Sequence, residues 1–230
     1  MPNNIFKKHT MSEAADIWVK SQKNYWKPGT YTVYMQRLTK YILPFFGNMK
    51  LSKITEKTME DFVLYLTSQS KNAFLSENYI SQICGTVRRI LTYMEKNYHC
   101  NILVPSNPAT KKHSRRIILP ESASLHTLEH YLFTHCEEDT CLGILIAFHT
   151  GIRIGELSAL TWRDINLQEG LIYIQKNILR VKNENARQSS DCKMTQVIKQ
   201  SPKTSDSSRT VPLPEQLIPI LSQYKKEISK

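Results

Sequence analysis

The segment H-T-G-I-R-I-G-E-L-S-A-L-T-W-R-D-I, residues 149–165, follows directly on an apolar run, L-G-I-L-I-A-F. Arg153 sits between two apolar residues at the edge of what otherwise reads as core. A guanidinium keeps its charge at any pH a protein meets, so this position demands a partner or a ligand. Gly151 suits the positive φ that ends a helix sharply. Arg153 then falls at the start of the next helix, beside backbone N–H groups that have no intrahelical acceptor. Those donors and a guanidinium together make a phosphate site. Glu156, three residues on, is placed to orient Arg153. The plainer alternative is a local ion pair that closes a turn.

Bulk properties point the same way. The 230 residues carry 31 basic and 20 acidic side chains, a formal net charge of +11. The first 110 residues hold 14 basic and 7 acidic side chains and the remainder 17 and 13, so both parts are basic. Such a balance implies nucleic acid first, an anionic membrane surface second, and a merely solvated surface third. Five cysteines are scattered without metal-ligand spacing, so free thiols and no bound metal are expected. No stretch approaches the ~20 apolar residues of a membrane span. The first ten residues, M-P-N-N-I-F-K-K-H-T, contain no apolar signal region. A cytoplasmic protein without cofactor is the expectation.

These residues need elements to hold them. Thr10-Met-Ser-Glu13 is a capping box, which predicts a helix just after Thr10. Thr30 is expected to cap a second helix through Ile42, ended by Pro44 and Gly47. A third follows Thr55 with Met59, Phe62, Val63 and Leu66 as its stripe. Ser76 opens a fourth, carrying Ile80, Ile83, Val87, Ile90, Leu91 and Met94 at helical spacing. A break follows, with Pro105, Pro108, Pro120 and the basic run K-K-H-S-R-R. Helices are then expected over 121–135, 138–149 and 154–162. A strand is expected from Leu171 through Val181, a polar loop over 182–193, strands in T-Q-V-I-K-Q-S-P-K-T and R-T-V-P-L-P, and a last helix from Pro214. The fold class is therefore mainly α with a small β-sheet. The expected domains are 1–104, helical, 105–120, a basic linker, and 121–230, α+β.

The ten positions Thr150, Gly151, Arg153, Gly155, Glu156, Leu157, Leu160, Trp162, Asp164 and Ile165 resemble the first conserved box of the tyrosine recombinases, or phage-type integrases. That family's pattern is T-G-x-R-x-G-E-L followed by L-x-W-x-D-I. S-P-K-T-S-D-S-S-R-T-V-P-L, residues 201–213, resembles the family's lysine-bearing β-hairpin. The closest flavour is that of integrases from conjugative transposons and temperate phages of Gram-positive bacteria. The helical first part is similar to the family's core-binding domain, which makes residues 121–230 the front of its catalytic domain.

The resemblance implies a chemistry. A tyrosine attacks a DNA phosphodiester, two arginines hold the non-bridging oxygens, and a lysine protonates the leaving oxygen. No metal is required. By position Arg153 is the first arginine and Lys203 the hairpin lysine, with Lys199 as competitor. The family's H-x-x-R box and its nucleophile should follow the hairpin, and residues 214–230 hold neither. His113-Ser-Arg-Arg116 fits H-x-x-R but precedes the first box. Tyr224 and Tyr173 read as packing or exposed residues. This chain by itself is accordingly expected not to cut DNA, and apolar side chains of residues 140–165 are expected to lie exposed.

Double-stranded DNA is the implied partner, with self-assembly on DNA as a further possibility and no membrane. The candidate contacts are Thr30, Tyr31 and Arg37 on the second helix, Arg88 and Arg89 on the fourth, and Lys111, Lys112, Arg115 and Arg116 in the linker. Two other readings stay open: an inactive module that competes for integrase sites, and an unrelated helical transcription regulator.

Overall fold

The computed structural model describes residues 9–68, 75–100, 102–107, 118–182, 195–200 and 208–228. The chain divides into two compact units, Met1–Arg115 and Arg116–Lys230. Both are built mainly from helices, and small antiparallel sheets occur in the second, as the sequence predicts.

The first unit contains α1 (Met11–Gln22), α2 (Pro28–Arg37), α3 (Leu43–Phe46), α4 (Glu56–Ser68) and α5 (Glu77–Tyr98). The capping box at Thr10 forms as expected. Thr10 Oγ1 accepts from the Glu13 N–H, and the Glu13 carboxylate accepts from the Thr10 N–H. Ser76 caps α5 through its hydroxyl, which accepts from the Tyr79 N–H. The start of α2 differs from expectation. Lys27 is the N-cap and Pro28 the first helical residue, which puts Thr30 inside the first turn. Proline's fixed φ and missing N–H suit that first position better than a capped threonine two residues later. Pro44 also fails to end the second helix. A π-helical turn over Leu38–Ile42 comes first, and the Leu43 N–H bonds to the Leu38 carbonyl. The wider turn accommodates a proline that can neither donate nor approach the usual carbonyl.

Every predicted stripe residue of α5 is buried, from Ile80 to Met94, as are Met59, Phe62 and Leu66 of α4. With Met11, Trp18, Ile42 and Phe46 they form one apolar core. Removing that area from water is the dominant stabilising term, at roughly 25 cal/mol per Å².

The second unit opens with α6 (Ser122–Thr134), α7 (Asp139–Thr150) and α8 (Ile154–Leu157). The last is far shorter than expected. Thr161 and Asp164 cap a 3₁₀ turn over Trp162–Asp164 and end helical continuity there. Strands β1 (Ile165–Asn166), β2 (Leu171–Ile174) and β5 (Arg209–Pro212) form an antiparallel sheet in the order β1–β2–β5. Strands β3 (Asn177–Lys182) and β4 (Thr195–Gln200) pair with each other. The single strand predicted over 171–181 is thus two strands in two sheets. The break falls at Gln175 and Lys176, where the Lys176 ammonium turns to bind Asp164. Helix α9 (Leu217–Ile228) closes the unit, with Leu217 and Leu221 in its core. The polar loop predicted over 182–193 lies almost wholly outside the described residues.

Two glycines give opposite expectations. A Cβ on Gly155 of α8 would lie 2.8 Å from the Ile178 carbonyl oxygen of β3, and against the Asn177 side chain. A Cβ on Gly85, in mid-α5, would meet nothing. Gly155→Ala should therefore destabilise the second unit by about 1–3 kcal/mol through forced displacement of backbone. Gly85→Ala should stabilise the first by roughly 0.8–1 kcal/mol through helix propensity. Denaturant unfolding of the two variants checks both signs.

Candidate nucleic-acid interface and phosphate site

The turn that carries Arg153 is built by local sequence. Gly151 takes φ 64° at the end of α7, a conformation that disfavours side chains with a Cβ. Arg153 is the N-cap of α8, in extended conformation, and Glu156 occupies the third helical position. The Glu156 carboxylate reaches back to the Arg153 backbone N–H at 3.0 Å and accepts from the Arg153 guanidinium at 3.0 Å. This is the reach-back half of a capping box with a charged side chain attached.

A second arginine, not foreseen as a site residue, completes the arrangement. Arg209 of β5 donates to both Glu156 oxygens, at 3.0 and 2.8 Å. Arg209 alternates with exposed Thr210 and shares the inward side of β5 with buried Val211, so its stem crosses the sheet toward α8. The signal was present in R-T-V-P-L, but no local pattern says which acidic residue a strand arginine will meet. The Glu156 side chain is 7% exposed, Arg209 32% and Arg153 74%. The hydrogen bonds from Arg209, reinforced by those from Arg153, outweigh the burial that opposes charge. They pull the Glu156 carboxyl from 4.5 down to about 2. One carboxylate thus holds two guanidiniums and leaves one positive charge over, on the most exposed member.

A second buried carboxylate, Asp164, fastens the 3₁₀ turn that follows α8. Asp164 accepts from Lys176 at 2.9 and 3.2 Å, from the Thr161 N–H at 3.0 Å and from Thr161 Oγ1 at 2.6 Å. Burial pushes this carboxyl up, and the bonds from Lys176 and Thr161 together hold it below its usual range. Lys176 was likewise not foreseen.

The tyrosines of the second unit have other work. The Tyr224 hydroxyl donates to the Asp139 carboxylate, joining α9 to α7, and the ring packs near Trp162. That bond and burial push the phenol up, away from the ionised form a nucleophile needs. Tyr173 donates to Glu169 at 3.2 Å. Lys199 is exposed on β4. Lys203 and His113 lie outside the described residues. Ile144, Phe148 and Ile154 are exposed, in line with the open apolar surface expected over 140–165.

The first unit has its own cationic face. Arg88, Arg89 and Lys96 of α5 line an open cavity of about 570 Å³ together with Trp18, Trp26 and Tyr34, and no acidic residue among the described ones borders it. Arg88 Nε donates to the Pro105 carbonyl at 2.8 Å, and Arg89 donates to the Tyr34 hydroxyl. Trp26 stacks on the same tyrosine ring. These contacts fix both guanidiniums at the surface. Thr30 is exposed in the first turn of α2, and the Lys23 ammonium lies over the Tyr31 ring. Arg37 is different. It is only 9% exposed and sits between α2 and α5, donating to Gln82 and to Thr86 Oγ1 at 3.5 Å. Its guanidinium lies over the Tyr34 and Tyr79 rings. The expectation of a surface contact from Arg37 is corrected accordingly: the turn of α2 points it inward, where two rings and two polar side chains accommodate its charge. Lys111, Lys112, Arg115 and Arg116 lie outside the described residues. Among the described residues no helix is long and apolar enough to cross a membrane.

Comparisons with known proteins converge on this architecture. Residues 10–67 match the phage integrase N-terminal SAM-like domain, and residues 121–229 match the phage integrase family. The chain therefore belongs to the phage integrases, the tyrosine recombinase family. It is 28% identical over 214 residues to a tyrosine recombinase XerC-like protein of Caldanaerobacter subterraneus subsp. tengcongensis, covering 86% of this chain and 50% of that protein. Its fold is similar to that of the Tn1549 transposon integrase in complex with transposon right end DNA. That match has a TM-score of 0.72 and 16% identity over 95% of this chain and 65% of the integrase. A lambda integrase dimer bound to a COC′ core site matches with a TM-score of 0.55 and 14% identity, covering 99% and 66%. The chain thus spans about half the length of the curated relative.

The depressed Glu156 carboxyl links stability to pH. A group held below its unfolded value contributes stability that is fully present above about pH 4.5 and is lost as pH falls toward 2. Acid titration of thermal unfolding should show the second unit weakening across that window. Glu156→Gln should flatten that dependence and cost about 1–3 kcal/mol at neutral pH, because it removes the charge that both guanidiniums hydrogen-bond.

Proposed function

We propose that this chain binds double-stranded DNA as part of site-specific recombination, with Arg153 meeting a backbone phosphate. The observation that carries the reading is the exposed guanidinium of Arg153, fixed on one side by a buried carboxylate and open on the other. Such preorganisation is what charge stabilisation at a phosphoryl group requires. Lys203 is the proposed proton donor to a leaving oxygen. Residues 1–104 are read as the core-binding domain, 105–120 as the basic linker and 121–230 as the front of the catalytic domain. Arg88 and Arg89 are the favoured contacts of the first unit, with Thr30 and Tyr31 beside a helix N-terminus and Lys111, Lys112, Arg115 and Arg116 in the linker. The structural relatives are integrases bound to DNA, which supports this partner.

A second reading has its own observation. The Tyr224 hydroxyl is engaged by Asp139 and its ring packs near Trp162. On this reading residues 1–230 act as a DNA-binding module that competes for integrase sites, with no tyrosine among them serving as nucleophile.

Two measurements test these readings. Duplex binding should weaken steeply with salt. Arg88→Gln and Arg89→Gln should each reduce the slope of log K against log salt by about 0.9. A flat salt response would overturn the DNA reading. A suicide DNA substrate should trap no covalent adduct with the 230-residue chain. An adduct would sink the second reading and place the nucleophile among the tyrosines present.

A further inference from the structure

We infer that Arg209 is a positioning residue for Arg153: by gripping the Glu156 carboxylate, it sets the direction in which the Arg153 guanidinium is offered to phosphate. The inference rests on the proposed contact between Arg153 and DNA, and deepens it.

The geometry is asymmetric. Arg209 makes two parallel bonds to Glu156, one to each oxygen, whereas the Arg153 side chain makes one, to the oxygen that Arg209 Nη1 also holds. A fork on a carboxylate fixes its plane; a single bond does not. The fork is itself anchored, because Arg209 pairs in register with Ile174 in the sheet while Glu156 lies on a four-residue helix with little rigidity of its own. Orientation therefore flows from β5 through the carboxylate to the turn. Charge flows the same way. Without Arg209, Glu156 and Arg153 form a neutral pair, and the exposed guanidinium collapses onto the carboxylate as a closed ion pair. With Arg209 the trio keeps one net positive charge, and it resides on the member in water. Arg209 at 32% exposure, with both terminal nitrogens committed to Glu156, is poorly placed to meet phosphate itself.

A double-mutant cycle on the full chain tests this, with a short random-sequence duplex as probe and affinity read over a range of salt. Thermal unfolding of each variant first establishes that binding is measured on folded protein. Arg153→Gln should weaken binding by about tenfold, the scale of one charge-assisted hydrogen bond, and lower the salt slope by about 0.9. Arg209→Gln should lose most of the same amount although it touches no DNA, and the double variant should bind no more weakly than Arg153→Gln alone. Arg209→Lys keeps the charge without the fork, so it should fall between parent and Arg209→Gln; it also carries the comparison if Arg209→Gln fails to fold. A folded Arg209→Gln chain that binds like the parent would reduce Arg209 to a structural brace and overturn the inference. Additive losses in the double variant would overturn it differently, by making Arg209 a DNA contact of its own. If Arg153→Gln binds like the parent, the reading of Arg153 as a DNA contact fails and the inference goes with it.

Discussion

A single buried carboxylate, Glu156, is what the second unit is arranged around. Burying a charge is expensive unless it is paired and fully hydrogen-bonded. Three donors from Arg153 and Arg209 side chains and one backbone N–H satisfy it. Arg153 lies three residues from the carboxylate in sequence, whereas Arg209 lies 53 residues away. Folding must therefore bring β5 under α8 before the carboxylate can be dehydrated. The Asp164–Lys176 pair repeats the device between residues twelve apart, fastening the 3₁₀ turn to the start of β3. Polar pairs, more than apolar area, thus determine where the short elements around Arg153 end.

The first unit solves the reverse problem. Its helices are long enough to bury continuous stripes, and its core is almost wholly apolar. Among the described residues one charge enters that core, Arg37, and its contacts there are ring faces and uncharged acceptors. Aromatic faces stabilise a cation while leaving its formal charge uncompensated. The positive potential of this unit is consequently preserved, and Arg88, Arg89 and Lys96 add to it at the surface.

Legibility in the sequence followed the range of the interaction. Elements set by local pattern were read correctly: the capped start at Thr10, the stripe of α5, the glycine that ends α7. Departures came where a distant partner decided the outcome. Pro44 reads as a stop, yet a π-helical turn absorbs it within a packed core. Residues 171–181 read as one strand because β-branched periodicity carries no information about which neighbour each half will find. Arg37 reads as surface because a helical arginine usually is. At the site, Arg153 and Glu156 were legible, being three residues apart. Arg209 and Lys176 were not, since pairing across a sheet leaves no spacing signature. The family resemblance supplied the chemistry of the turn and the lysine but was silent on what steadies them.

The β3–β4 ladder pairs only within itself among the described residues, while α8 abuts β3 through Gly155. One end of that hairpin is therefore fixed by backbone contact, and its register is independent of the β1–β2–β5 sheet. Lengthening or shortening the ladder by residue pairs leaves the register of Arg209 opposite Ile174 untouched. This hairpin is where the chain can vary in length, and so change its reach, without disturbing the charge arrangement at its base.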